Sequence, residues 1–371
     1  MALRLPAGGD GQTGGVRASY VLPIRWADDR EIEELTDYLR GLPDWIELII
    51  VDGSPDPLFE HHATLWENLG RHLRPDPDLR TTMGKVGGVL TGIREASHEA
   101  CVIADDDVRY DERTLTRATL LLGLADCVRP QNYFDPLPWH ARWDTGRILL
   151  NRSLGADFPG TLAVRRSTIL GAGGYDGDVI FENLELIRTI RAVGGRVISP
   201  LDLYVARRPP STQQFLSQRK RQAYDDFAIP PRMAAWLAVV PALGLGLARR
   251  RWRAPAIAAG ALIALAERGR RRAGGRAHFT PDTPAFAPLW VLERGICSWL
   301  ALRDRLSRGG IPYGDAVVPR AASSMRRLRR RFAAGDARDG QRDGLSRGRT
   351  EPDQLVGPVA EGLPARGPAA T

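Results

Sequence analysis

Three short apolar runs, at residues 18–22, 46–51 and 100–104, constrain the fold of this chain more than any other feature. Each stops at a proline or an acidic turn, with Pro23, Asp52 and Asp105 the next residues. Segments of helical length, at 28–42 and 84–97, separate them. Strands so nearly free of polar residues are buried on both faces, as in a parallel sheet covered by crossover helices. The alternation continues to about Pro209. An α/β fold with a mostly parallel central sheet is therefore expected. Ligands of such sheets bind beyond the C-terminal ends of the strands. Asp52 and the triplet Asp105-Asp106-Asp107 stand at two such ends.

Length and charge set the frame for the rest. The 371 residues suffice for one large α/β domain with appendages. The net charge is +8, and Lys85 and Lys220 are the only lysines among 52 basic residues. Cys101, Cys127 and Cys297 form no C-x-x-C pair, and an odd number cannot close completely into internal disulfides. A reduced, cytoplasmic setting follows. Residues 1–16 are Gly-rich, lack the apolar core of a signal peptide and read as a disordered leader. Residues 17–226 form the expected catalytic domain.

The composition changes after Asp226. Residues 233–248 and 254–266 carry no charged side chain, and Arg249, Arg250, Arg251 and Arg253 lie between them. A helix over the first run is roughly 24 Å long, short of the ~30 Å hydrocarbon core. A spanning hairpin would also place the arginines outside, against the positive-inside tendency. A re-entrant or interfacial hairpin at the cytoplasmic face fits better than two spans. A buried helical pair of a soluble domain is the other reading. Residues 288–306 place Leu289, Leu292, Ile296, Trp299 and Leu300 near one helical face, with Trp290, Arg294, Arg303 and Arg305 at a headgroup boundary; an ordinary amphipathic helix packed on the main domain is the equal alternative. The membrane-associated region is thus set at 227–319. Residues 320–371 are rich in Arg, Gly, Ala and Asp, too polar to offset their ordering entropy, and read as a disordered tail. Its basic run could bind anionic lipid, and nothing else in the chain points to nucleic acid.

Three adjacent carboxylates at a strand end repel one another, and a cation relieves that cost. Oxygen donors suit Mg²⁺ or Mn²⁺. Alone, the triplet is a weak signal, because acidic loops are common. Its neighbours strengthen it. Val51-Asp52-Gly53-Ser54 closes a strand with an acceptor and a tight turn. Gly84-Lys85-Val86-Gly87-Gly88 opens a helix with a cation and small residues that permit close approach, though the P-loop spacing is absent. The six histidines show no metal-ligand spacing, and His61-His62 should diverge on a helix.

In this order the motifs resemble the family 2 glycosyltransferases of GT-A fold. The resemblance covers residues 18–226. It rests on Val21-Leu22-Pro23, Val51-Asp52-Gly53-Ser54, Gly84-Lys85-Val86-Gly87, Asp105-Asp106-Asp107, a small-residue segment at Phe158-Pro159-Gly160-Thr161, and Gly173-Gly174-Tyr175-Asp176. It implies a metal-dependent, inverting transfer of sugar from a nucleoside-diphosphate sugar to an acceptor hydroxyl. The apolar region suits a lipid-linked or cell-envelope acceptor at a membrane surface. Pro23, Asp52, Lys85, Asp105, Asp106 and Gln218 would lie around the donor, with Asp105 and Asp107 on the metal.

Two positions depart from the family pattern. Asn183 stands where an Asp would serve as general base, and an amide cannot take a proton as a carboxylate does. Glu182 is the first substitute, Glu185 the second, then Asp176 or Asp178. Gln218 and Arg221 match a Gln-x-x-Arg-Trp motif, but Gln222 replaces the Trp. Arg221 can still stabilise a departing diphosphate. A sugar nucleotidyltransferase is the alternative enzyme, although its Gly-rich signature is missing after the first strand. A catalytically degenerate membrane scaffold is the alternative without activity.

Overall fold

The computed structural model describes residues 17–314 and 316–333. The expected leader and residues 334–371 of the expected tail lie outside the described residues. Chain order begins β1 (Ala18–Ile24), α1 (Ile32–Arg40), β2 (Ile46–Asp52), α2 (Asp56–Trp66), β3 (Arg71–Leu73), α3 (Gly84–Glu95), β4 (Ala100–Ala104), β5 (Val108–Arg109) and α4 (Glu112–Leu120). It continues through β6 (Cys127–Val128), β7 (Gln131–Phe134), α5 (Trp139–Leu154), β8 (Thr161–Arg165), α6 (Arg166–Gly171), α7 (Glu182–Ala192), β9 (Val197–Ile198), β10 (Tyr204–Arg207) and α8 (Thr212–Tyr224). Three helices follow, α9 (Pro230–Ala248), α10 (Arg253–Arg271) and α11 (Ala287–Arg308), then β11 (Ile311–Tyr313), β12 (Ala316–Val318) and α12 (Met325–Ala333).

The expected sheet is present. Seven strands run in the order β3-β2-β1-β4-β8-β6-β9. The β1–β2, β1–β4, β2–β3 and β6–β9 pairs are parallel, and β8 is antiparallel to both its neighbours. The period of two along β1 sends Val21 to one apolar layer and Tyr20 and Leu22 to the other. Helix α3 lies close on β1, since a Cβ at Gly92 would come within 2.3 Å of Val21 Cγ1. A second sheet, β5-β10-β7, sits past the end of β4 and pairs Arg207 with Val108. That register decides where the active-site cations fall.

Three expectations about the C-terminal part need correction. The helices α9 and α10 are not a buried pair: Met233 is the only buried residue in α9, and Ala266 and Gly269 the only ones in α10. Trp290 and Arg294 do not face outward. They are 1% and 3% exposed, because α11 turns that face to the main domain while Leu289, Leu292 and Ile296 stay exposed. Residues 320–333 do not begin a structureless tail. Arg320 and Ala321 carbonyls accept from the Ile180 and Phe181 amides, and α12 covers α7 with Leu328 buried. The few apolar residues there suffice because the backbone is hydrogen-bonded to a folded partner.

Candidate active site

The end of β4, the start of α3 and the start of α7 converge on one cluster. Lys85 bridges two carboxylates, Asp105 and Glu182, with Nζ 2.8 Å from Glu182 Oε1. Burial alone would lower the Lys85 pKa, but the charges of Asp105 and Glu182 outweigh it and hold it well above the usual range. Arg207, delivered by β10, donates from Nε to Asp107 Oδ2 at 2.7 Å and reaches to 3.8 Å from Asp105. Trp26 Nε1 donates to Asp106 Oδ2 at 2.5 Å. Sequence reasoning missed Arg207; the only signal was an arginine pair after an apolar strand.

The triplet fits a hard divalent cation. Oδ1 of Asp107 is buried without a hydrogen-bond partner. Burial pushes the Asp107 carboxyl up to about 6; the charges of Asp105 and Asp106 add to the rise, and Arg207 opposes it. Unspent acceptor capacity and crowded charge are what a cation relieves. Gly160 leaves the necessary room: a Cβ there would stand 2.6 Å from Asp105 Oδ2. The Gly173-Gly174 pair has φ of 68° and 81°, a left-handed turn that delivers the buried Tyr175. The positive charge of Lys85 and the negative charges of Glu182 and Asp105 all act on the Tyr175 hydroxyl.

Other expected residues lie differently. Pro23 is buried in β1 and packs on Gly88, where a Cβ would be 3.0 Å from Pro23 Cβ. Gly88 thus serves helix–sheet packing, while Gly87 faces the Leu79 carbonyl of the short turn before α3. Glu185 is fully buried and accepts from the Ser323 amide at 2.5 Å, which ties it to the C-terminal strap. Asp176 pairs with Arg320 at 2.9 Å, and Asp178 accepts from Thr82 Oγ1 at 2.7 Å. Asn183 turns to the Pro159 carbonyl. Asp225, which the sequence reading passed over, has a buried, partnerless Oδ1. Burial pushes its carboxyl up to about 7, with Arg221 pulling down and Glu182 pushing up.

Helix α8 explains the lost aromatic. Gln222 accepts from Arg219 Nη2 at 2.6 Å and turns its own amide toward Gln218 Oε1. Arg219 also bonds Asp144 at 3.0 Å, and Asp144 pairs with Arg147, which pairs with Asp157 at 2.7 Å. Gln222 thus completes a buried polar network that locks α8 to α5. Arg221 forms no ion pair among the described residues.

Asp52 is enclosed. It is fully buried and its Oδ2 lies 2.6 Å from His62 Nδ1 and 3.1 Å from His72 Nε2, while Ser54 N donates to Oδ1 at 2.8 Å. Burial works against ionisation, yet the bonds from His72, Ser54 and His62 hold the carboxyl well below its usual range. Direct contact with a nucleoside, as the resemblance implies, would require displacing a histidine. The histidines lacked ligand spacing in sequence because α2 and the return into β3 bring them together.

No family model matches the chain, and no curated protein matches it. Among solved structures it is similar to a mannosyltransferase from Pyrobaculum calidifontis in complex with GDP-Man and Mn²⁺. That match has 21% identity and a TM-score of 0.47, and covers 76% of this chain and 87% of that one. It is also similar to glucosyl-3-phosphoglycerate synthase from Mycobacterium tuberculosis in complex with Mn²⁺, UDP and phosphoglyceric acid. There the identity is 20% and the TM-score 0.37, with 57% and 78% of the two chains covered.

Proposed function

We propose that this chain is a metal-dependent glycosyltransferase that moves a sugar, with inversion, from a nucleoside-diphosphate sugar to an acceptor hydroxyl. The observation that carries the reading is the meeting of Lys85, Asp105, Asp107, Glu182 and Arg207 at one sheet end. Asp105 and Asp107 would hold a divalent cation, which supplies Lewis-acid stabilisation of the leaving diphosphate. Lys85 and Arg207, now neutralised by carboxylates, are the cations able to turn to phosphate oxygens. Arg221 extends the positive side of the site toward Asp225.

The choice of base follows from which carboxylate is free. Glu182 is occupied by Lys85, whose Nζ lies 2.8 Å from its Oε1. Asp225 has a free buried oxygen and a carboxyl near 7, matched to accepting a hydroxyl proton at neutral pH. We therefore place Asp225 ahead of Glu182 as the group that takes the acceptor proton.

The exposed apolar residues of α9 and α10 beside their arginine turn support work at the cytoplasmic face of a membrane on a lipid-linked or cell-envelope acceptor. By length and composition, α9 and the stretch Thr283–Arg308 that contains α11 are the two helices among the described residues apolar enough to cross one. The test is transfer or hydrolysis from a panel of GDP- and UDP-sugars with Mn²⁺ or Mg²⁺ and membrane lipids. Asp107→Ala should be inactive. Calorimetry that detects neither nucleoside diphosphate nor metal binding would favour the degenerate scaffold.

A further inference from the structure

We propose that Asp52, His62 and His72 form a second metal site, for a zinc-class divalent transition-metal ion, chemically distinct from the all-oxygen triplet. The three donor atoms lie within 4.8 Å of one another. His62 Nδ1 is 2.6 Å and His72 Nε2 3.1 Å from the same oxygen, Asp52 Oδ2. Donors set tetrahedrally around an ion at ~2.0–2.1 Å stand about 3.3 Å apart, so small side-chain shifts would admit one. Two imidazoles and a carboxylate select zinc-class ions over Mg²⁺.

The fold builds this arrangement from three elements. Pairing of β2 with β3 sets His72 opposite Ile50, and Asp52 follows two residues on, on the same face. Helix α2 turns His62 inward, to 0% exposure. The outer shell is present too. His62 Nε2 lies 2.9 Å from Asp29 Oδ1, the carboxylate–histidine pairing that orients a metal-bound imidazole. Phe59 stacks on His72 at 4.3 Å, and Trp66 and Trp26 close over His62 at 4.8 and 5.8 Å.

The unspent donor capacity favours an ion. Both nitrogens of His62 face carboxylate oxygens. His72 Nδ1 is buried without a partner. An ion held by His62 Nδ1, His72 Nε2 and Asp52 leaves His62 Nε2 on Asp29 and His72 Nδ1 for that ring's own N–H. The metal then clamps the three-residue edge strand β3 to β2 and α2.

The experiment uses full-length protein stripped with chelator, then given Zn²⁺ or Co²⁺ alone. One equivalent of Zn²⁺ should survive gel filtration and raise Tm. Co²⁺ should give visible d–d absorption without a sulfur charge-transfer band. His62→Gln and His72→Gln should each abolish the equivalent. Asp29→Asn should weaken it by roughly 10–100-fold. An Asp105→Ala/Asp107→Ala double variant should keep it, which separates this site from the triplet. Failure of wild type to retain Zn²⁺ would show a hydrogen-bonded network only. Retention in both histidine variants, or loss with the triplet, would also overturn the assignment. Circular dichroism checks each variant's fold, and the wild-type stoichiometry decides even where one variant does not fold.

Discussion

Arg207 Nε sits 2.7 Å from Asp107 Oδ2, across the seam between the small sheet and the end of β4. The contact holds in place a carboxylate that burial and its neighbours push up to about 6. Metal binding needs the ionised form. As pH falls through about 6, Asp107 takes up a proton and the site should lose Mn²⁺. The rise in Tm that Mn²⁺ induces should therefore shrink below pH 6 and be missing in Asp107→Asn at every pH. Arg207→Met removes the one charge that lowers this pKa, so the midpoint should move upward. A full Mn²⁺ shift in Asp107→Asn would take Asp107 out of the metal site.

Asp225 gives a second pH handle. If it accepts the acceptor proton, kcat/KM should rise with pH to a midpoint near 7. Asp225→Asn should lose that limb and roughly 100-fold or more of the rate. Glu182→Gln should keep the limb and act mainly on KM. The opposite pattern would make Glu182 the base. Stability supplies an independent reading. The folded-state pKa is raised, so the folded protein holds more protons than the unfolded chain between about 4 and 7. Wild type thus loses stability as pH rises through that window. Asp225→Asn cannot ionise, and at pH 8 it should be more stable than wild type by on the order of 2 kcal/mol, with little difference at pH 4.

Gly160 separates packing from chemistry. Its Cα faces Asp105, and an added Cβ would meet Asp105 Oδ2 at 2.6 Å and Arg207 Cζ at 3.3 Å. These are ends of side chains, so Gly160→Ala should fold and displace Asp105 from its pairing with Lys85. A displacement near 1 Å costs roughly 100-fold in rate. We expect kcat to fall by that order while Tm changes by no more than a few degrees. A variant with normal kcat would mean that the Asp105 position is not critical.

The strands were legible because burial on both faces leaves unbroken apolar runs, and β1, β2 and β4 start within a residue of where those runs begin. The triplet and Lys85 were legible because their chemistry is local in sequence. Arg207 was not: it enters through the register of β10 on β5, a pairing with no sequence signature. The Asp52–His62–His72 group was hidden for the same reason, since its spacing reflects a helix and its return rather than a ligand motif. Glu185, the second substitute for the base, is covered by the Ser323 strap, a contact 138 residues away that no local pattern announces. Trp290 and Arg294 misled because α11 is amphipathic in both directions. Arg294 reaches Asp226 at 3.6 Å, so a charged residue lies inside and leucines outside.

That inversion bears on the last prediction. Ile257 on α10, Trp252 in the turn and Leu245 on α9 are 71%, 65% and 51% exposed. Arg249, Arg250, Arg251 and Arg253 beside them are exposed as well. Each helix has 19 residues, about 28 Å; α9 packs on α11 and α10 on α5 along one side, and most of their other residues stay exposed. An apolar face edged by arginine suits an anionic interface, with about 1 kcal/mol gained for each basic residue near the surface. The full-length protein should sediment with vesicles containing phosphatidylglycerol or phosphatidylserine and bind neutral phosphatidylcholine vesicles far less. Replacing the four arginines with glutamine should remove the dependence on anionic lipid and on salt. Leu245→Ser with Ile257→Ser should weaken binding at high salt, where the charge contribution is screened. Equal binding to neutral and anionic vesicles, unchanged by either set, would rule this surface out as the membrane contact.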